Sequence, residues 1–223
     1  MKSFEDFYAK GYEVFKFDSC NLNSVIQSML SSHLKEGFQF SSKYSKTADL
    51  RPNVIDYDPI FMEVLKKNQI KKLIRSATLR DLTLFHVQLR LTNSHESYMD
   101  WHRDTYFDNS KRIGMAPPGV KIIYYPRMGH KNFKRLLIAE GTHRKMKDVV
   151  TEDLKQLDTS KIVSIEANDN EATLFDTSIL HSVIPDEIGT FSFRLIYSFV
   201  APEQIKDDQT LHLKTSKMYE EMF

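Results

Sequence analysis

The residues of this chain best suited to chemistry are His102 and Asp104, in the run Tyr98-Met99-Asp100-Trp101-His102-Arg103-Asp104-Thr105-Tyr106. Successive side chains of extended backbone point to opposite faces, so residues two apart share a face and His102 and Asp104 can reach one metal ion together. A third donor has to come from elsewhere. His181 is the candidate, a short turn beyond an apolar run that ends at Asp176. Two imidazoles and one carboxylate form the facial donor set of non-haem Fe(II) oxygenases, which leaves three positions of an octahedron open to a bidentate co-substrate and O₂. Thirteen residues after His181 stands Arg194, in a run where Phe191, Phe193, Leu195, Tyr197 and Phe199 occupy one face and Arg194, Ile196 and Ser198 the other. An arginine on an inward strand face needs an anion, and a dicarboxylate co-substrate supplies one through a bidentate contact. The competing reading makes His102 and Asp104 a loop ion pair and His181 a hydrogen-bonded histidine near the core.

Such a cluster has to be held by strands, and the second part of the chain supplies them. Short β-branched and aromatic runs separated by turn residues predict strands over Thr83–Leu91, Val120–Pro126, Leu136–Ala139, Ile162–Glu166, Ala172–Asp176 and Phe191–Val200. Helices are expected over Met146–Leu157 and at the C-terminus over Thr215–Phe223. The first third reads as helical. Ser3 and Asp6 resemble a capping box, Phe4, Phe7 and Tyr8 share a helical face, and Gly11 suits the left-handed residue that ends a helix. A strand over Tyr12–Phe17, a helix over Leu22–Leu34 and a polar, loop-like segment over Phe38–Tyr57 follow. Asp58 then caps a helix that opens at Pro59 and ends near Asn68, and a further helical stretch covers Ile70–Arg75. Helices followed by many short strands predict a single α+β domain over residues 1–223, with a sandwich or barrel as its β part.

Period-2 alternation also marks secondary candidates. His86, Gln88 and Arg90 share a face opposite Val87, Leu89 and Leu91, and a polar inward row there would line a pocket beside the metal. Lys121, Ile123 and Tyr125 alternate with Val120, Ile122 and Tyr124, so one tyrosine faces the cavity, and the sequence does not decide which. Arg90, Arg103 and Lys121 suggest an anionic small-molecule substrate. His143 and Arg144 read as structural or surface residues, and the Lys66-Lys67 and Lys71-Lys72 pairs as solvated helix faces.

Composition narrows the alternatives. One cysteine, Cys20, excludes a disulfide framework, a cysteine-rich zinc module and a chain-contained iron–sulfur cluster, so any metal must use the eight histidines and the carboxylates. Seven glycines with no GxGxxG or GxxxxGK[ST] leave no phosphate-cradling loop. Lys plus Arg (31) against Asp plus Glu (30) gives no electrostatic reason for a nucleic-acid partner. The N-terminus has no signal-peptide core and no run approaches a membrane span, which predicts a cytoplasmic protein.

With these residues in place, the chain resembles an Fe(II)/2-oxoglutarate-dependent dioxygenase, and within that superfamily it is most similar to the phytanoyl-CoA dioxygenase-like group that includes ectoine hydroxylase. The resemblance rests on pieces that stand in family order. They are the Phe4–Phe17 entry, Trp101-His102-Arg103-Asp104 with Tyr106 after it, Glu140-Gly141-Thr142-His143-Arg144, and Asn170-Glu171-Ala172-Thr173-Leu174-Phe175-Asp176 leading to His181. It implies a double-stranded β-helix, a cupin-like jelly roll, with the N-terminal helices packed on one sheet. It further implies Fe(II) on His102, Asp104 and His181, with the distal carboxylate of 2-oxoglutarate on Arg194. Gln88 would touch co-substrate or substrate, and Arg90, Arg103, Tyr106 and Lys121 are candidate substrate contacts. The implied reaction consumes O₂, converts 2-oxoglutarate to succinate and CO₂, and hydroxylates a substrate C–H. Asp104 favours hydroxylation over halogenation, because related halogenases carry a small residue there to admit chloride. The chain departs from the family at Val183, where a polar residue normally follows the distal histidine by two, so Ser192 or Ser198 would have to replace it as the second carboxylate partner. The gap from His181 to Arg194 is also slightly long, which the turn Pro185–Thr190 can absorb. Rival readings are a cupin-type isomerase or epimerase, which needs neither Arg194 nor 2-oxoglutarate, and a non-catalytic jelly-roll module that binds a small molecule or glycan.

Overall fold

Gly11 ends the first helix as its place in the sequence predicts, with φ of 84° and its N–H donating to Phe7 O at 2.7 Å. The computed structural model describes residues 4–36, 48–52, 54–93, 99–105, 107–108, 111–112, 118–126, 134–144, 157–166, 170–185 and 191–223. Helix α1 (Phe4–Lys10) leads into strand β1 (Tyr12–Lys16), and α2 (Leu22–Glu36), β2 (Ala48–Pro52), α3 (Ile60–Lys67) and α4 (Ile70–Thr78) follow. The remainder is mostly strand: β3 (Thr83–Asn93), β4 (Met99–His102), β5 (Phe107–Asp108), β6 (Lys111–Arg112), β7 (Gly119–Tyr124), β8 (Lys134–Ala139), β9 (Ile162–Glu166), β10 (Glu171–Asp176), β11 (His181–Pro185) and β12 (Phe191–Val200). A last helix, α5, spans Thr210–Met222. Asp58 starts α3 by accepting from Ile60 N at 2.8 Å, as its position before Pro59 predicts.

Two antiparallel sheets result. The larger has the order β1-β10-β7-β12-β3-β2 and the smaller β4-β11-β8-β9, with β5 and β6 as a separate hairpin. Alternation along the strands of the large sheet divides the apolar residues into two cores. Val87, Leu89, Val120, Ile122, Tyr124, Leu174, Leu195, Tyr197 and Phe199 face the helices, packing with Leu22, Ile26, Phe61, Leu65, Ile74 and Tyr219. Ile123, Tyr125, Phe175 and Ile196 face the small sheet and meet Leu136, Ile138, Ile165 and Val183. Helices thus cover one face of the large sheet, and the other, the chamber face, packs with the small sheet around the second core.

Several boundaries differ from the sequence reading. Residues 48–52 form β2 where a polar loop was expected, because the segment pairs with the edge of β3, Ala48 opposite Thr92 and Pro52 opposite Gln88. An edge strand that carries proline and lacks alternation gives no periodic signal. Helix α4 runs on to Thr78, α5 begins earlier than Thr215, and the helix expected over Met146–Leu157 falls, save for its last residue, outside the described residues. No helix among the described residues is long and apolar enough to cross a membrane.

Gly119 fixes the closest approach of β7 to β12. A Cβ built there would lie 1.9 Å from the Phe199 carbonyl oxygen, which is backbone and cannot step aside. Gly119→Ala is therefore expected to destabilise the fold by about 1–3 kcal/mol through overpacking, read as a lower midpoint in urea with an unchanged slope. An unchanged midpoint would show that the strands can part without cost.

Candidate metal centre

Sheet pairing brings the two histidines together. His102 ends β4, His181 begins β11, and the two are direct partners in the antiparallel ladder, with ring centroids 4.2 Å apart. Asp104 follows on a turn that the fold ties down on both sides. Thr105 N donates to Thr177 O at 2.9 Å, and Thr105 Oγ1 bonds Thr177 Oγ1 at 3.1 Å. The Thr177 hydroxyl in turn accepts from Gly119 N at 2.9 Å, which joins this turn to the start of β7. Arg103, between the two ligand candidates and 3% exposed, turns away from them and donates to the carbonyls of Thr142, at 3.0 Å, and Ser178. Its guanidinium thus clamps the backbone around the site.

One nitrogen or oxygen from each of His102, Asp104 and His181 lies within 4.8 Å of the others, and Asp104 and His181 are buried. His181 Nδ1 is 3.0 Å from the Ile179 carbonyl, so Nδ1 carries the proton and Nε2 keeps its lone pair, 3.6 Å from Asp104 Oδ2. Burial lowers the His181 imidazole to about 4, against the opposing pull of the Asp104 carboxylate. Burial by itself would raise the Asp104 carboxyl, but Lys121, His181 and His102 outweigh it and hold the group well below the usual carboxylate range. Both depressed groups bind protons less readily when folded, so stability from them is full above the unfolded values and is lost as pH falls through the folded ones. At neutral pH the cluster offers a neutral imidazole and an ionised carboxylate, the protonation states a divalent metal requires. The residues fit such an ion.

Lys121 Nζ lies 2.9 Å from Asp104 Oδ2, with its side chain 15% exposed. Its charge is therefore held on the carboxylate. Strand register orders the inner face of the large sheet from there. Ser198 lies opposite Lys121 on one side and His86 on the other, Ile196 lies between Ile123 and Gln88, and Arg194 pairs with Arg90. Arg194 is 1% exposed and Ser198 7%, whereas Gln88 and Arg90 are half-buried. The face predicted for Arg194, Ile196 and Ser198 is the chamber face.

Neither a family model nor a curated protein matches the sequence. Solved structures match the fold. HygX from Streptomyces hygroscopicus, solved with nickel and 2-oxoglutarate bound, superposes with a TM-score of 0.67 at 10% identity over 90% of this chain and 86% of HygX. SnoN, a non-haem α-ketoglutarate-dependent epimerase of nogalamycin biosynthesis, gives 0.63 at 10% identity over 89% and 81%. SnoK, a carbocyclase of the same cofactor type and biosynthesis, gives 0.66 at 8% identity over 89% and 83%. The chain shares its fold with these three proteins.

Other sequence candidates fall into place around this centre. Tyr106 and the side chain of Ser192 lie outside the described residues. His143 and Arg144 serve structure, His143 Nε2 bonding Tyr8 O at 3.0 Å and Arg144 lying over the Tyr8 ring. The tyrosine ambiguity on β7 resolves by packing. Tyr124 faces the helices and donates to Asn23 Oδ1 at 2.9 Å, and Tyr125 lies in the inner core. Two features escaped the sequence: the Lys121–Asp104 ion pair and the Thr177 bridge. Both join residues far apart in the chain, and no local spacing signals them.

Proposed function

We propose that this chain is an Fe(II)- and 2-oxoglutarate-dependent oxygenase that hydroxylates a C–H of a small molecule, within the phytanoyl-CoA dioxygenase-like group and as one double-stranded β-helix domain. The observation that carries the reading is the His102–Asp104–His181 cluster, its histidines on the small sheet, together with the buried Arg194 on the inner face of the large sheet. The likeness to HygX supports it, since that protein was solved with 2-oxoglutarate and, in another structure, with hygromycin B as well. His102, Asp104 and His181 would hold the metal, and Arg194 the 5-carboxylate of 2-oxoglutarate. Fe(II) with 2-oxoglutarate and O₂ supplies the oxidation, at the expense of 2-oxoglutarate, which leaves as succinate and CO₂. The chain's own contribution is placement. Lys121 keeps one Asp104 oxygen oriented, Ile179 O keeps His181 in the metal-binding tautomer, and Ile123, Ile138 and Ile196 keep the chamber apolar and water-poor.

SnoN and SnoK carry epimerase and carbocyclase activities on this fold. Asp104 fills the third ligand position, which favours hydroxylation over halogenation. The test is to load the purified protein anaerobically with Fe(II), add 2-oxoglutarate, and admit O₂. The expected results are a visible charge-transfer band on adding 2-oxoglutarate and metal-dependent succinate formation, with a metabolite screen showing a gain of one oxygen. Stoichiometric metal without any response to 2-oxoglutarate would favour the isomerase reading, and absent metal binding the non-catalytic one.

A further inference from the structure

Strand β2 pairs with the second half of β3, and helix α5 lies along the first half. His212 Nδ1 donates to the Phe85 carbonyl at 2.9 Å, and Thr83 Oγ1 bonds Ser216 Oγ at 2.8 Å. The His212 ring stacks on Phe85 with centroids 3.9 Å apart and meets the His86 ring edge-on at 5.6 Å. Backed in this way, His86 sits half-buried on the chamber face. It is the ladder partner of Ser198, and Ser198 is the partner of Lys121, whose Nζ lies on Asp104. Two strand spacings put the His86 backbone about 10 Å from that of Lys121. That is the span of a small molecule with one end at the metal. The Arg194 end is separate, four residues or about 13 Å along β12 from Ser198.

Neither His86 nor Ser198 makes a side-chain hydrogen bond to another described residue, and nor does Gln88, the next inward residue of β3. Polar groups at the margin of an apolar core need partners, and here a ligand or water has to supply them. Burial first, and then the His212, Lys121 and Arg90 charges, lower the His86 imidazole to about 4, so at neutral pH it carries one N–H and one lone pair. The three groups are thus uncharged, and hydroxyl, imidazole and carboxamide each both donate and accept. A ligand hydroxyl does the same, whereas an anion only accepts. Lys121, the nearest cation in the ladder, is already held on Asp104.

We propose that His86, with Ser198 and Gln88 beside it, is the subsite for an uncharged, hydroxyl-bearing part of the substrate. The assignment rests on the oxygenase reading above and gives the substrate a class, a polyol or sugar-like molecule that reaches from His86 to the metal. His86 determines specificity, and His212 is a positioning residue that holds it.

The experiment uses the Zn(II) form with 2-oxoglutarate, which does not turn over. Erythritol is the probe, and erythronate, with a carboxylate in place of one terminal CH₂OH, is its anionic counterpart. Saturation-transfer NMR gives the affinity of each, and the Cε1–H signal of His86, assigned by its absence from His86→Phe, reports where they bind. Erythritol is expected to move the His86 signal in a saturable way. His86→Phe is expected to weaken erythritol about tenfold, and Ser198→Ala about threefold, with 2-oxoglutarate affinity and melting temperature at wild-type values. A merely structural histidine would lower the melting temperature and leave erythritol affinity unchanged. Equal erythritol affinity in the wild type and both variants, or a His86 signal that erythritol does not move, overturns the subsite. Tighter binding of erythronate, with the His86 signal moving to its protonated position, overturns the uncharged class in favour of an anion. The titrations are repeated without 2-oxoglutarate, which keeps these results apart from failure of the wild type to bind 2-oxoglutarate. That failure overturns the oxygenase reading and, with it, the naming of the bound group as substrate.

Discussion

Asp104→Ala is expected to lose divalent-metal affinity by at least about 100-fold, since disturbing residues that merely orient ligands already costs about 10–100-fold. It is also expected to lower stability for a separate reason. Lys121 Nζ lies 2.9 Å from Asp104 Oδ2 with its side chain 15% exposed, so removing the carboxylate strands an ammonium in an apolar chamber. Breaking one side of such a pair costs about 3–5 kcal/mol, more than the pair contributes over an apolar substitute. The two effects can be separated by a second change. Asp104→Ala with Lys121→Met should recover most of the stability, because no buried charge then lacks a partner, and should recover none of the metal affinity. Manganese titration and thermal melts of the wild type, the single variant and the double variant check both. Wild-type metal affinity in Asp104→Ala would remove the carboxylate from the ligand set and end the oxygenase reading.

What could be read from the sequence followed from how far each signal is local. The two faces of β12 were legible because period-2 alternation runs through ten residues, and the partition of Leu195, Tyr197 and Phe199 from Arg194 and Ile196 between two cores matches it. The His-x-Asp spacing was legible for the same reason. That His102 and His181 are ladder partners was not, because the pairing of β4 with β11 is set by the closing of the small sheet across about 80 residues. The hydrogen bonds of Arg103 were not legible either, because the Thr142 and Ser178 carbonyls that accept from its guanidinium come from distant parts of the chain. On β7 the alternation separated Tyr124 from Tyr125 correctly but carried no sign. Which face is inner depends on where the helices pack, and that is a tertiary fact.

Arg194→Met should leave metal binding intact while reducing 2-oxoglutarate affinity at least about 100-fold, because two charge-assisted hydrogen bonds of about 1.5–3 kcal/mol each are removed together. Metal binding is spared by distance, since Arg194 is four residues along β12 from Ser198, which faces Lys121 at the metal end. Arg194→Lys tests geometry apart from charge. It keeps the cation, loses the planar fork, and should bind 2-oxoglutarate about tenfold less tightly than wild type. Anaerobic titrations of the Mn(II) forms measure all of these, and unchanged 2-oxoglutarate affinity in Arg194→Met would move the distal carboxylate elsewhere in the chamber.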